Sequence, residues 1–210
     1  MKIFTAEEYL SKQDPTLGKL IKKVGPFTLQ PEKLVSPYQS LVRSVVYQQL
    51  HGKAAATILK RLIDLYPNKK FPTPEDILAT SSEKLRSVGL SENKMLAIKD
   101  IALKTKEKIV PITKIIEKLS DQEIIDRLTK IRGVGTWTVQ MMLMFKLGRP
   151  DVMPSTDFGV QKGFALLYKK PHPKPKELND YANRWKPYRS AASWYMWRAV
   201  EQLAKIKKKN

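Results

Sequence analysis

The sequence predicts an all-α protein. Apolar residues recur at three- and four-residue steps, glycine and proline stand between the periodic segments, and the alternation typical of a β-strand is nearly absent. To within a few residues at each end, helices are predicted at about 5–12, 16–23, 74–79, 82–87, 91–108, 121–130, 136–147, 158–168, 175–184 and 188–206.

Two more helices are predicted from Tyr38 onward, joined at His51 and Gly52. Their apolar stripes consist of Leu41, Val42, Val45 and Val46 before the joint, and Ala55, Ile58, Leu59 and Leu62 after it. A chain of 210 residues is long enough for one large domain or two small lobes. We expect a single helical unit over 1–210 with two lobes, 36–130 and 1–35 plus 131–210.

The charge of the chain indicates a polyanionic partner. Lys and Arg number 39 against 20 acids, which gives a formal charge of +19. Nucleic acid, an anionic membrane surface and a merely solubilising surface all agree with this excess. The lysines are spread along the whole chain, so a basic tail explains little of the charge.

Composition excludes several kinds of site. Cysteine is absent, which excludes disulfides, thiolate zinc sites and cysteine-ligated iron–sulfur clusters, and only two histidines are present. No apolar run approaches the roughly 20 residues of a membrane span, and no export signal is visible at the N-terminus. We expect a protein that is not secreted, placed in the cytoplasm or nucleoid of a prokaryote or in the nucleus of a eukaryote.

A glycine turn interrupts the helices in LTKIRGVGTWTVQMMLMF. Gly133 and Gly135 permit backbone angles that a side chain forbids, and the amides of such a turn can bind a phosphate. Arg132, Lys130 and Thr136 could add to that site. The alternative is an ordinary turn between two helices.

Asp157 follows Ser155 and Thr156 just before a predicted helix, as an N-cap does. A carboxylate at that position is kept ionised by the helix amides, so it also supplies a fixed negative charge. The capping pattern by itself favours the purely structural role.

The last predicted helix has a core stripe, and Trp197 lies roughly 130° away from its centre. Trp197 therefore needs another environment. Core packing is the alternative for any single tryptophan, and it is the preferred reading for Trp185 and one of two equal readings for Trp194.

The loop Gln48 to Gly52 could insert an apolar wedge into a DNA duplex. In the alternative, Leu50 is buried at a helix end and His51 caps it. Lys53 and Lys94 are candidates for phosphate contact, although an ordinary solvated lysine is the alternative for each.

Together these residues resemble a known family. The run LTKIRGVGTWT, residues 128–138, is similar to the helix-hairpin-helix of base-excision DNA glycosylases, and MPSTDFGVQKG supplies the aspartate expected about twenty residues later. RWKPYRSAASWYMW, residues 184–197, resembles the C-terminal segment of the 3-methyladenine DNA glycosylase II branch, and residues 41–62 resemble its earlier helix pair. The resemblance spans most of the chain and implies a helix-hairpin-helix glycosylase fold with a cleft between two lobes.

The resemblance also implies roles for single residues. Asp157 would be the catalytic carboxylate. The base pocket would consist of Trp137, Phe158, Trp197 and Met141, where Met141 replaces a tyrosine of some relatives. DNA contacts would come from Gly133, Gly135, Thr136, Arg132, Gln49, Leu50 and His51. Main-chain carbonyls of Thr129, Ile131 and Gly133 would hold a structural Na⁺ or Mg²⁺ ion.

The implied activity is that of a monofunctional glycosylase that removes alkylated purines such as 3-methyladenine and 7-methylguanine from duplex DNA during base excision repair. Lyase members carry a lysine where this chain has Trp137, so no lyase activity is expected. We expect no required cofactor, no membrane and a monomer. Two other hypotheses are a non-catalytic helix-hairpin-helix DNA-binding module and, with less support, a basic membrane-surface protein.

Overall fold

The computed structural model describes the backbone of residues 5–32, 34 and 36–207, and the side chains of these residues up to 202. Within those ranges the chain forms α-helices, one 3₁₀ turn at Asn183–Trp185 and no strand, which confirms the all-α prediction. The helices are α1 (Ala6–Gln13), α2 (Pro15–Val24), α3 (Pro37–Tyr47), α4 (Gly52–Asp64), α5 (Pro74–Ala79), α6 (Ser82–Ser87), α7 (Glu92–Lys106), α8 (Thr113–Ile116), α9 (Asp121–Leu128), α10 (Thr136–Phe145), α11 (Phe158–Tyr168), α12 (Pro175–Ala182) and α13 (Arg189–Lys207).

Helix ends follow local capping chemistry. The side chains of Thr5, Thr73 and Ser120 each accept a hydrogen bond from the backbone three residues later, in reciprocal capping boxes. Proline occupies the first turn of α2, α3, α5 and α12, where its missing N–H costs nothing. Only α8 was not expected, because four residues are too few to show a helical period.

The chain divides into two compact units. The central unit is Lys33–Met142, and the terminal unit combines Met1–Glu32 with Leu143–Asn210. Residues 131–142, which the sequence analysis assigns to the second lobe, group with the central unit. Long-range contacts explain this grouping, since the hairpin that precedes α10 is bonded to α7 and to the loop after α3.

The core of the central unit contains the two predicted apolar stripes. All four residues of the α3 stripe are buried, as are Ala55, Leu59 and Leu62 of α4. Burial of each valine or leucine side chain in this set stabilises the fold by about 1.5–3 kcal/mol. The stripes therefore fix α3 and α4 on either side of the Gln48–His51 loop.

The terminal unit is built on α11 and α13, which approach closely at Gly163. A Cβ there would lie 2.0 Å from the Met196 carbonyl oxygen, so glycine is required. Trp185 is fully buried, as preferred for it, and Trp194 is also buried, so core packing is the correct reading for both. In the described part of the chain, no helix is both long and apolar enough to cross a membrane.

A buried carboxylate joins α2 to the aromatic core of the terminal unit. Asp14 accepts hydrogen bonds from the Tyr168 hydroxyl at 2.6 Å, the Leu17 amide at 3.1 Å and Trp185 Nε1 at 3.1 Å. Burial alone would raise the pKa of Asp14, but these donors outweigh it and lower that pKa below its ordinary value. The charge of Asp14 is thus used to hold the fold together.

Candidate active site

The hairpin between α9 and α10 is held against α7. Gly133 has φ of +74°, and a Cβ there would lie 3.0 Å from the Cβ of Ala97. The backbone amide of Arg132 donates to the Asp100 carboxylate at 2.7 Å. Glycine is thus favoured at position 133 for two reasons, the left-handed backbone conformation and the close approach of Ala97.

Three backbone amides of the hairpin are available for an anion. In the part of the chain that the structure describes, the amides of Gly133, Gly135 and Thr136 donate to no protein acceptor. All three residues are exposed, and so are Arg132 and Lys130. Amides at the start of a helix, with cations beside them, form a suitable site for a phosphate group.

Gly135→Val tests that anion site. No atom lies within 4 Å of a Cβ at this position, so the fold accommodates a side chain there. We expect the valine to cover the amides and weaken duplex binding about tenfold, while costing at most about 1 kcal/mol of stability. Fluorescence anisotropy with undamaged duplex at several salt concentrations measures this effect. Equal affinity of variant and wild type at every salt concentration would exclude a phosphate at Gly135.

The Gln48–His51 loop presents an apolar side chain to solvent. Leu50 is 39% exposed, so the alternative in which it is buried at a helix end is wrong. Gln49 before it has φ of +55°, a backbone conformation that residues other than glycine rarely adopt. His51 occupies the N-cap position of α4, but its side chain makes no capping hydrogen bond.

Lys94 is not available for a phosphate. Its ammonium donates to the carbonyl oxygens of Val46 at 2.7 Å and Gln48 at 2.8 Å, at the end of α3. Burial lowers the pKa of Lys94 below its ordinary value. The prediction that Lys94 contacts a phosphate is therefore wrong, because its ammonium is bonded to two carbonyls within the protein. Lys53, the other candidate, is exposed.

A pocket of about 510 Å³ opens in the central unit beside this loop. It is lined by Ser44, Tyr47, Gln48, Gln49, Trp137, Thr138 and Met141. Trp137 is 43% exposed, so its ring is accessible for stacking. Of the four predicted pocket residues, Trp137 and Met141 line this cavity, and Tyr47 adds an aromatic side chain that was not predicted.

Asp157 is fixed at the N-terminus of α11 in the terminal unit. Its Oδ1 accepts one hydrogen bond from the Val160 amide at 2.8 Å and another from Trp197 Nε1 at 2.8 Å. The capping role predicted from the sequence is thus present. The added tryptophan contact gives the carboxylate a defined orientation that capping alone does not require.

The Trp197 ring is positioned at the carboxylate by contacts with Phe145 and Gly159. Its ring stacks on Phe145 with centroids 5.7 Å apart and an interplanar angle of 22°. Gly159 lies under the same ring, since a Cβ there would be 2.8 Å from Trp197 Cδ1. Trp197 therefore contacts Asp157 and lies outside the core stripe of α13.

Phe158, the remaining predicted pocket residue, is 68% exposed. Its ring centroid lies 5.4 Å from that of His172, and the Lys162 ammonium lies 5.9 Å from the Phe158 ring centroid. The structure thus brings Asp157 and Trp197 into contact, while Phe158 follows Asp157 in the chain and points its ring to solvent and His172.

Comparison with known proteins identifies the family. Residues 42–187 match the model of the HhH-GPD superfamily base excision DNA repair proteins. The chain belongs to this superfamily. It is 39% identical over 197 residues to DNA-3-methyladenine glycosylase 1 of Schizosaccharomyces pombe, a match that covers 92% of this chain and 86% of the relative.

Two solved structures have the same fold. The 3-methyladenine DNA glycosylase of Schizosaccharomyces pombe in complex with abasic DNA has a TM-score of 0.81 at 38% identity and covers 92% of this chain and 95% of its own. The DNA-3-methyladenine glycosidase of Bacillus halodurans has a TM-score of 0.84 at 32% identity, with coverage of 98% and 95%. The resemblance drawn from the sequence is confirmed.

The superfamily resemblance implies an ion at the carbonyls of Thr129, Ile131 and Gly133. Ile131 O accepts the Val134 amide at 3.1 Å, and Gly133 O accepts Gln48 Nε2 at 3.0 Å. A carbonyl oxygen has two lone pairs, so the Ile131 and Gly133 oxygens can each accept a second contact, of the kind that a hard cation makes. Among the side chains described, no group of three or more His, Asp or Glu could hold a metal.

Several residues of this HhH-GPD site were not assigned a role from the sequence. Tyr47 and Phe145 stand at helix ends, where an aromatic residue has no periodic signal that separates a pocket from a core. Gly159 had one signal, since glycine in the first turn of a helix is unfavourable unless something packs closely against it. The contacts of Lys94 and Gln48 are tertiary and had no signal in the sequence.

Proposed function

We propose that this chain is a monofunctional DNA glycosylase that excises alkylated purines, such as 3-methyladenine and 7-methylguanine, from duplex DNA. It hydrolyses the N-glycosidic bond of a flipped nucleotide and so begins base excision repair of alkylation damage. The observation that carries this proposal is the Asp157 carboxylate, which accepts hydrogen bonds from the Val160 amide at the N-terminus of α11 and from Trp197 Nε1. A protein that binds DNA only through phosphates has no use for such a group.

Asp157 acts on the sugar. Departure of the base by a dissociative path builds positive charge on the deoxyribose ring, and a carboxylate beneath C1′ stabilises that charge. Asp157 also orients the water that adds to C1′, completing hydrolysis with a free base and an abasic site as products. Its position is defined by two hydrogen bonds to one oxygen, so little reorganisation is required during the reaction.

Alkylation itself supplies much of the leaving ability. A purine alkylated at N3 or N7 is cationic, so it departs without a dedicated general acid. An electron-rich aromatic face attracts such a cation more strongly than a neutral base. Trp137 and Tyr47, which line the pocket of the central unit, provide faces of this kind.

The central unit provides the contacts with the duplex. The exposed hairpin amides bind one phosphate, and Arg132 and Thr136 lie beside them. Leu50 fills the space left by the extruded nucleotide, with Gln49 and His51 in the minor groove. The formal charge of +19 supports binding by counterion release.

Leu50→Ala tests the wedge. Leu50 is exposed, so its truncation removes little core packing. We expect base release to decrease more for a lesion in a fully paired duplex than for the same lesion in a mismatch, because a mismatched base is already easier to extrude. Single-turnover rates with both duplexes measure the difference. An equal decrease on both would assign the effect to something other than flipping.

The remaining features of the proposal concern the protein's surroundings. It works as a monomer, without a required cofactor, on double-stranded DNA in the nucleoid or nucleus rather than at a membrane. A Na⁺ or Mg²⁺ ion at the hairpin carbonyls of Thr129, Ile131 and Gly133 would orient that turn toward a phosphate.

A duplex with one alkylated purine tests both the activity and its type. A monofunctional glycosylase leaves the strand intact until alkali cleaves the abasic site. Strand cleavage without alkali would indicate a lyase. An intact strand after alkali, with binding retained, would favour the alternative of a non-catalytic helix-hairpin-helix module.

A further inference from the structure

The loop that carries Leu50 is attached to the rest of the central unit at its start. Helix α3 ends at Tyr47, and the ammonium of Lys94 on α7 donates to the carbonyls of Val46 and Gln48, at 2.7 Å and 2.8 Å. The Gln48 carbonyl is the last one before the exposed tip, which consists of Gln49 and Leu50. One charged donor thus fixes the backbone from which the tip begins, because hydrogen bonds from an ionised group are stronger than neutral ones.

The side chain of Gln48 attaches the same loop to the hairpin. Gln48 Nε2 donates to the carbonyl of Gly133 at 3.0 Å and lies 3.4 Å from Thr138 Oγ1. The backbone of Gln48 is therefore bonded to α7. Its side chain is bonded to the glycine turn of the hairpin and to the first turn of α10. Gln48 thus joins the loop to the hairpin, the two segments to which the proposed function assigns DNA contacts.

The conformation and exposure of Gln49 and Leu50 indicate that these residues depend on hydrogen bonds elsewhere in the loop to stay in position. Gln49 adopts φ of +55°, which is unfavourable for a residue with a side chain, and Leu50 is 39% exposed. Neither residue belongs to the buried core. A wedge that enters a base stack must keep its position against the duplex, which requires rigid support from neighbouring residues.

We propose that Lys94 and Gln48 form a latch that fixes the wedge loop in register with the phosphate-binding hairpin. Both act as positioning residues, and the inference rests on the proposed function because it concerns flipping by that same site. The latch sets how efficiently a nucleotide is extruded from a stable duplex. It contributes little when the lesion is already unpaired.

Lys94→Met is the decisive variant, since methionine keeps the length and apolar stem of lysine and removes all three donors. We expect the single-turnover rate to fall about tenfold or more on a lesion in a fully paired duplex, and by less than about threefold on the same lesion in a mismatch. Lys94→Arg keeps the charge and the donors and should restore part of the rate on the paired duplex. Gln48→Ala should show the same substrate dependence, and the double variant should lose less than the product of the two single losses.

Hydrogen exchange gives a readout that does not depend on catalysis. In Lys94→Met, amides of residues 48–52 should exchange faster, while the midpoint of thermal unfolding stays close to that of wild type. If the variant unfolds, Gln48→Ala, which removes the bond to the Gly133 carbonyl, is measured in its place, and the same faster exchange is expected.

Equal rate losses on paired and mismatched lesions, or unchanged exchange in residues 48–52, would overturn the latch. Failure of the proposed function has a different signature. Wild-type protein would then release no base from either duplex, although faster exchange of the loop in Lys94→Met would still support the latch.

Discussion

Asp157→Asn is expected to reduce base release from alkylated DNA by about 10²- to 10³-fold, the loss typical when one preorganised electrostatic group is removed from an active site. Asparagine still caps α11 and its side-chain oxygen can still accept from Val160 and Trp197, so the fold and the duplex affinity should change little. The loss should therefore be in the single-turnover rate at saturating enzyme.

Two variants control this experiment. Asp180→Asn removes an exposed carboxylate of the terminal unit that has no proposed role, and its rate should equal that of wild type. Asp157→Glu keeps the charge but moves it, and its rate should lie between those of wild type and Asp157→Asn. A wild-type rate in Asp157→Asn would show that the negative charge is not used.

Gly133→Val is expected to have the largest effect on stability. The residue must keep φ of +74°, which is strained for valine, and its Cβ would lie 3.0 Å from that of Ala97. We expect a loss of about 1–3 kcal/mol in the free energy of unfolding, together with weaker binding to any duplex, damaged or not. Chemical denaturation and anisotropy measure the two effects.

Gly135→Val is the matched control for the stability effect of Gly133→Val, because position 135 has open space and no positive φ. The structure thus separates two glycines that look equivalent in the sequence. If Gly133→Val unfolded at the same denaturant concentration as wild type, the close approach to Ala97 would not be a constraint on the hairpin.

Much of the fold could be predicted because its elements are set by local chemistry. Proline or a capping box begins several helices, and the predicted bounds of α5, α6 and α11 agree with the structure. Apolar stripes at helical spacing gave the buried faces of α3 and α4. Each of these signals involves residues only a few positions apart, so it can be recognised in the sequence without knowledge of the tertiary structure.

The site could be predicted only in part. Asp157 has a local signature as an N-cap, but its bond to Trp197 joins residues forty positions apart. The bonds from Lys94 to the end of α3 join residues 48 and 46 positions apart, and a lysine in a basic chain gives no sign that it is internal. Contacts of this kind depend on tertiary packing, which local patterns do not encode.

The most direct test of the account is mass spectrometry of the bases freed from alkylated duplex DNA by the purified wild-type protein. The account predicts free 3-methyladenine and 7-methylguanine, with abasic sites in equal number and no strand cleavage before alkali. Tight binding of the same DNA with no free base above the uncatalysed background would contradict it.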